Sequence, residues 1–144
     1  MIIVIQLAKS SGLSLIITPA SLKHAEHLKA IGGRNNLDRN LSLASISQKV
    51  KEITRLPVLH VFNAISLPTI QEMELALVDS RGYLAVVLKP TVEASEGKTV
   101  FWVSGVLRAP NNIEILEDLY QSKASALVAI GAIRVSFPVS LVVM

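Results

Sequence analysis

Five residues near the start of the chain, Ser10-Ser11-Gly12-Leu13-Ser14, combine three hydroxyls with a glycine directly after an apolar run. A loop of this composition can turn backbone N–H groups and hydroxyls towards a phosphate when it follows a strand. A tight turn with solvated serines needs the same residue types, so both readings stay open. A second group, His24, Glu26 and His27, sets two imidazoles three positions apart, neighbours on one helix face, with His60 as a conceivable third metal ligand. Solvent-facing histidines on an amphipathic helix satisfy the same spacing, and nothing directs His60 to that helix. Arg34 and Arg39, set among asparagines, can meet phosphates or an acidic partner, or belong to a polar solvated loop. Asp79 and Arg81 read as turn residues, and Glu93, Glu96, Glu114, Glu117 and Asp118 as exposed or first-turn acids. No Ser-His-Asp ordering, Walker loop or G-x-G-x-x-G sequence is present. The 144 residues include no cysteine, which removes disulfides, thiolate chemistry and cysteine-ligated metals.

These residues need elements to position them. The continuously apolar, β-branched run 2–7 predicts a strand covered on both faces. Thr18 and Pro19 read as the N-cap and first position of a helix carrying Leu22, Ala25, Leu28 and Ile31, stopped by Gly32-Gly33. Residues 34–41 read as a polar loop. Leu43, Ile46, Val50 and Ile53 share one face of a second helix that ends before Pro57, and 58–62 reads as a strand. Residues 75–89 carry two apolar runs joined through Asp79-Ser80-Arg81-Gly82, a hairpin signal in which Gly82 supplies a positive φ. Residues 91–98 are a hydrophilic turn and 99–107 a strand. Asn111 and Glu114 form a capping-box pattern opening a helix with Ile113, Leu116 and Tyr120 inward, and 126–130 reads as a buried strand ending at Gly131. The second half therefore reads as a βαβ unit. The expected fold is one α/β domain over 1–144: a flavodoxin-like open, mainly parallel sheet flanked by helices, with an additional β-hairpin. Loops at the carboxyl ends of its strands, 9–13, 104–110 and 131–133, are then the place for a site.

Hydrophobic residues make up 51% of the chain and charged residues 17%, with a mean hydropathy of +0.51. That is apolar for a soluble monomer and points to a surface that meets a protein partner, either a larger subunit or a second copy. A net charge of +3 with few aromatics gives no case for nucleic acid. The first ten residues lack the basic start of a signal peptide, and Arg134, Ser136, Pro138 and Ser140 interrupt the apolar tail 126–144, so no transmembrane segment is expected. The expected location is cytoplasmic, with membrane association only through a complex.

Ile5-Gln6-Leu7-Ala8, then Ser10-Ser11-Gly12-Leu13 and Ser14-Leu15, resembles the opening of nickel–iron hydrogenase small subunits and of the related cluster-bearing small subunit of NADH:quinone oxidoreductase. Val103-Ser104-Gly105-Val106-Leu107, Asn112 to Glu114, the stretch 116–120 and 126–132 resemble the same family's second signature, in which a strand ending in Glu-Gly precedes a helix and a strand ending in Gly-Ala-Cys. The resemblance implies a redox-subunit framework. Where the family has cysteines this chain has Ser10, Leu13 and Ile133, and Ser104 stands at its glutamate, so an iron–sulfur cluster lacks ligands. The resemblance then implies that Leu13 and Ile133 fill the vacated space.

The leading expectation is a cluster-less, non-catalytic structural or regulatory subunit of an oxidoreductase-type complex, with no cofactor. Its vestigial loops hold Ser10, Ser11, Gly12, Leu13, Ser14, Gly105, Gly131 and Ile133. The first alternative is a flavin or nucleotide-phosphate binding module using Ser10 to Ser14 with the Gly105 and Gly131 turns. The second is a ligand-sensing domain centred on 75–89, which requires antiparallel pairing.

Overall fold

A computed structural model describes residues 2–65, 67–94, 97–103 and 112–133, apart from the Ile115 side chain. The chain divides into two compact units, one built on Met1–Asp38 and Glu114–Met144, the other on Arg39–Ile113.

The first unit begins with helix α1 (Ile2–Ser10), where a strand was expected. A short apolar run does not distinguish the two. Ile5 and Gln6 form the buried stripe, and Ile5 packs with Ala20 and Leu28, bordered by Ile16 and Ile31. The chain then enters strand β1 (Ile17–Ala20), so Thr18 and Pro19 belong to a strand and not to a helix start. A short 3₁₀ turn, Leu22–His24, leads into α2 (Ala25–Ile31). Strand β2 (Asn35–Asp38) follows, and it pairs in parallel with β1 through Ile17↔Asn35 to Ala20↔Asp38. Residues 34–41 contain this strand despite asparagines that disfavour extended structure. Thr18, directly opposite Asn36, donates its hydroxyl to the Asn36 side-chain oxygen. The Asn36 amide donates to the carbonyls of Ala25 (3.2 Å) and Gly33 (3.0 Å), while Leu37 turns into the core.

The described residues after the second unit are helical as far as Ala129. Helix α5 (Ile113–Asp118) runs through a π-helical turn, Leu119–Lys123, into α6 (Ala124–Ala129). The expected buried strand at 126–130 is thus replaced by a helix, on which Val128 and Ile130 are exposed. Ile113 and Tyr120 point outward, not inward.

In the second unit, Ser42 caps α3 (Leu43–Ile53), its hydroxyl accepting from the Ser45 N–H at 3.3 Å. This helix matches the sequence expectation, with Ile46 buried. Strand β3 (His60–Asn63), helix α4 (Pro68–Leu77) and strand β4 (Tyr83–Val86) form a βαβ unit, and β5 (Thr99–Trp102) lies on the far side of β4. Both pairings are parallel. The hairpin expected over 75–89 does not form: residues 75–77 end α4, and 83–86 pair with β3 and β5. The turn does form, with the Gly82 N–H donating to the Asp79 carbonyl at 3.0 Å, but the positive φ falls on Arg81 at 69°. Val78, Leu84 and Val86 make the core, packed by Val61, Leu75, Val92 and Val100.

The α/β fold with an open, parallel arrangement flanked by helices therefore stands, without the added hairpin. With all pairing among the described residues parallel, the ligand-sensing hairpin reading loses its premise. Among the described residues no helix is long and apolar enough to cross a membrane.

Candidate functional site

In an open parallel sheet, ligands approach the carboxyl ends of the strands. The Ser10–Ser14 loop does not lie there. It follows α1 and precedes β1, at the amino end of that strand. Its glycine has a local explanation. Gly12 has φ 85°, its N–H donates to the Lys9 carbonyl at 3.1 Å, and the Leu13 N–H donates to the Ala8 carbonyl at 3.1 Å. Those two bonds are the Schellman ending of a helix. Gly131 has φ 69° and repeats the pattern on α6, with Gly131 N–H to Val128 (3.0 Å) and Ala132 N–H to Leu127 (2.9 Å). Two of the three glycines of the expected cradle, Gly12 and Gly131, terminate helices. Leu13 is exposed rather than packed in a cavity, and Ile133 is half-buried. Ser104 and Gly105 lie outside the described residues, as does the expected loop 104–110.

A small cavity of about 230 Å³ is lined by Lys9, Gly12, Leu13, Ser14, Gly32 and Arg34. Two cations converge there, which suits an anion, but the helix ends they meet carry the negative pole of the helix dipole. Lys9 is also engaged in packing: a Cβ on Gly32 would meet its Cδ at 2.9 Å. The cavity reads as two capped helix ends in contact.

His24 ends the 3₁₀ turn, and Glu26 and His27 are exposed on α2. Among the described residues no group of three or more His, Asp or Glu is placed to hold a metal ion. His60 is an exposed residue of β3, engaged elsewhere: its ring stacks on Tyr83 at 5.8 Å, and Tyr83 stacks on Phe101 at 5.5 Å.

The carboxyl ends carry different residues. In the first unit β1 runs into Ser21, Lys23 and His24, and β2 ends at Asp38. Ser21 precedes the 3₁₀ turn with extended φ −66° and ψ 129°, and its hydroxyl makes no capping bond. Lys23 is exposed beside it. In the second unit β3 ends at Asn63, which is 1% exposed. Its side-chain oxygen accepts from the Ile65 N–H at 2.8 Å, and its amide donates to the Glu74 carboxyl. Burial pushes Glu74 up to about 7, against the opposing pull of the Asn63 hydrogen bond. Beyond β4, Gln71 accepts from the Thr91 N–H (2.9 Å) and hydroxyl (3.1 Å). Ser21, Lys23, Asn63, Gln71 and Glu74 were not singled out by sequence reasoning. The usable signal was positional, namely polar residues immediately after β-prone runs, and it depends on knowing which runs are strands.

No protein-family model and no curated protein matches the chain. Solved structures do. A mycobacterial quinone oxidoreductase is similar over 94% of this chain and 44% of its own, with 20% identity and a TM-score of 0.72. Escherichia coli quinone oxidoreductase complexed with NADPH matches over the same shares with 19% identity and a TM-score of 0.66. Benzyl alcohol dehydrogenase from Acinetobacter calcoaceticus matches 83% of this chain and 36% of its own, with 22% identity and a TM-score of 0.58. The shared property is the fold. The chain spans less than half the length of each of these proteins.

These likenesses overturn the hydrogenase small-subunit resemblance. Of its two anchoring strands, 2–7 lies within a helix and 126–130 is helical as far as Ala129, and the solved structures similar to the chain include alcohol dehydrogenases and quinone oxidoreductases. Glycine turns after apolar runs carried the resemblance, and helix termination produces them equally well.

Proposed function

We propose that this chain is a nucleotide-binding portion of an oxidoreductase-type protein and that it takes a nicotinamide dinucleotide phosphate at the carboxyl ends of its strands. The observation that carries the reading is the extent of the fold likeness, 94% of the chain, to a quinone oxidoreductase whose structure was determined with NADPH. The residues suit a phosphate: Lys23 supplies a charge and Ser21 a hydroxyl with no capping bond, both directly after β1. A single charge-assisted contact of this kind is worth about 1.5–3 kcal/mol.

Thermal unfolding of the 144-residue chain with NADPH, NADH and flavin mononucleotide tests it. NADPH at about a hundred times its Kd should stabilise by about 2.7 kcal/mol. Lys23→Glu should weaken NADPH binding by a factor of about 10–100, with a smaller effect on NADH, which lacks the additional phosphate. No stabilisation by any of the three at millimolar concentration would refute the proposal. Stabilisation by flavin alone would move it to the flavin class.

A second reading, a surface that works against a protein partner, is favoured by one feature of the second unit. His60, Phe62, Tyr83 and Phe101 share one face of the three-stranded sheet and all are exposed, whereas parallel sheets ordinarily have both faces covered. Light scattering after size exclusion should then show self-association that weakens in Tyr83→Lys. A monomer at all concentrations, with no dye-binding apolar surface, counts against it.

A further inference from the structure

Asn36 lies inside β2, where an asparagine is disfavoured. Both ends of its side chain are used. The NH2 group donates to the carbonyls of Ala25 and Gly33, at 3.2 and 3.0 Å. Carbonyls can be met only by the NH2 end of the amide, so its oxygen is left facing Thr18, whose hydroxyl donates to it. Thr18 is 5% exposed and stands directly opposite Asn36 in the pairing of β1 with β2. Gly33 presses on the same threonine: a Cβ there would lie 3.2 Å from Thr18 Cγ2 and Oγ1.

This cluster bears on the chain between β1 and α2. Ala20 is paired with Asp38 at the start of that connection, and Ala25 is held by Asn36 at its end. Residues 21–24 are therefore tied to β2 on both sides. Within them the His24 N–H donates to the Ser21 carbonyl at 3.0 Å, and the Ala25 N–H donates to the Leu22 carbonyl.

We propose, taking that turn as the nucleotide phosphate site, that Thr18 and Asn36 are positioning residues that fix where the Ser21 hydroxyl stands and so set the preference for NADPH over NADH. Thr18 is buried and acts through the backbone, not by touching the nucleotide. A serine side chain is short, so its hydroxyl goes where the backbone goes. Lys23 has a long flexible stem that follows an anion. Loss of the clamp therefore acts through Ser21 and not through Lys23.

Isothermal titration of the 144-residue chain with NADPH and NADH tests this in Thr18→Val/Asn36→Val. Replacing both hydrogen-bond partners by apolar groups of similar size is nearly neutral for stability, and valine suits a strand, so urea unfolding should stay close to wild type. NADPH affinity should nevertheless fall about tenfold, the lower end of what a charge-assisted hydrogen bond gives, and NADH affinity about threefold or less. In a Ser21→Ala background the two valines should cost NADPH nothing further, which a general loosening would not reproduce. Thr18→Ser keeps the hydroxyl and should keep the wild-type preference. If the double variant does not fold, Thr18→Val set against Thr18→Ser makes the same comparison. Unchanged NADPH affinity, an equal fall for both nucleotides, or the full NADPH loss persisting in Ser21→Ala overturns the positioning role while leaving NADPH binding intact. A wild-type chain that binds neither nucleotide overturns the phosphate site itself, and the positioning role with it.

Discussion

Gly82→Ala is expected to destabilise the second unit by about 3 kcal/mol, the upper end of what overpacking costs. A Cβ there would lie 2.6 Å from Val78 Cγ1, 2.9 Å from the Asp79 carbonyl oxygen and 3.1 Å from Leu59 Cα. Val78 can change rotamer. The two backbone atoms cannot yield without disturbing the turn, where the Gly82 N–H holds the Asp79 carbonyl, or the register of β3 beside β4. Gly12→Ala provides the contrast. Nothing lies within 4 Å of its Cβ position, and the cost is the positive φ alone, about 1 kcal/mol. Urea unfolding of both variants measures the difference. Equal losses would mean that Gly82 serves backbone freedom and that the close approach of β3, Val78 and the turn is wrong.

Leu84→Ala is expected to cost about 2–5 kcal/mol, the range for emptying a fully enclosed leucine site. Leu84 is 0% exposed and packs with Val78 and Val86. Its neighbour Tyr83 points to the other face, 41% exposed, and has two ring stacks to lose. Tyr83→Ala should therefore cost about 1–2 kcal/mol. The ordering of this pair measures which face of β4 is enclosed. A larger loss at Tyr83 than at Leu84 would show the strand turned over by one residue, since such a slip exchanges the faces.

How much of this was legible beforehand varies by element. Helix α3 was, because Leu43, Ile46, Val50 and Ile53 recur at helical spacing behind a serine cap that supplies its own hydrogen bond. The strand at 60–63 was, because its β-branched and aromatic residues lie between Pro57 and the helix that starts at Pro68. Helices α1 and α6 were not. Ile2 to Leu7 and Ala126 to Ile130 are too short and too uniformly apolar for a period to show, so glycine became the only punctuation available. Gly32 was read correctly as a helix stop, and Gly12 and Gly131 make the same pair of hydrogen bonds at their own helix ends. Reading those two as ligand loops rather than stops turned two helices into strands and produced the mistaken kinship.

Composition alone, with no cysteine in 144 residues, ruled out thiolate-held metal, and the alternation of apolar and polar segments was enough to establish an α/β chain. Local patterns carry that information because burial imposes them residue by residue. Strand pairing, the strand identity of Asn35–Asp38 and the pairing of Glu74 with Asn63 were decided only by the tertiary structure. An asparagine becomes a strand residue when Thr18, Ala25 and Gly33 meet its side chain, and a glutamate's affinity for its proton rises when burial strips water from it, against the pull of the Asn63 hydrogen bond. Apart from Gly33, those partners lie 11 to 18 residues away along the chain, beyond what any periodicity encodes.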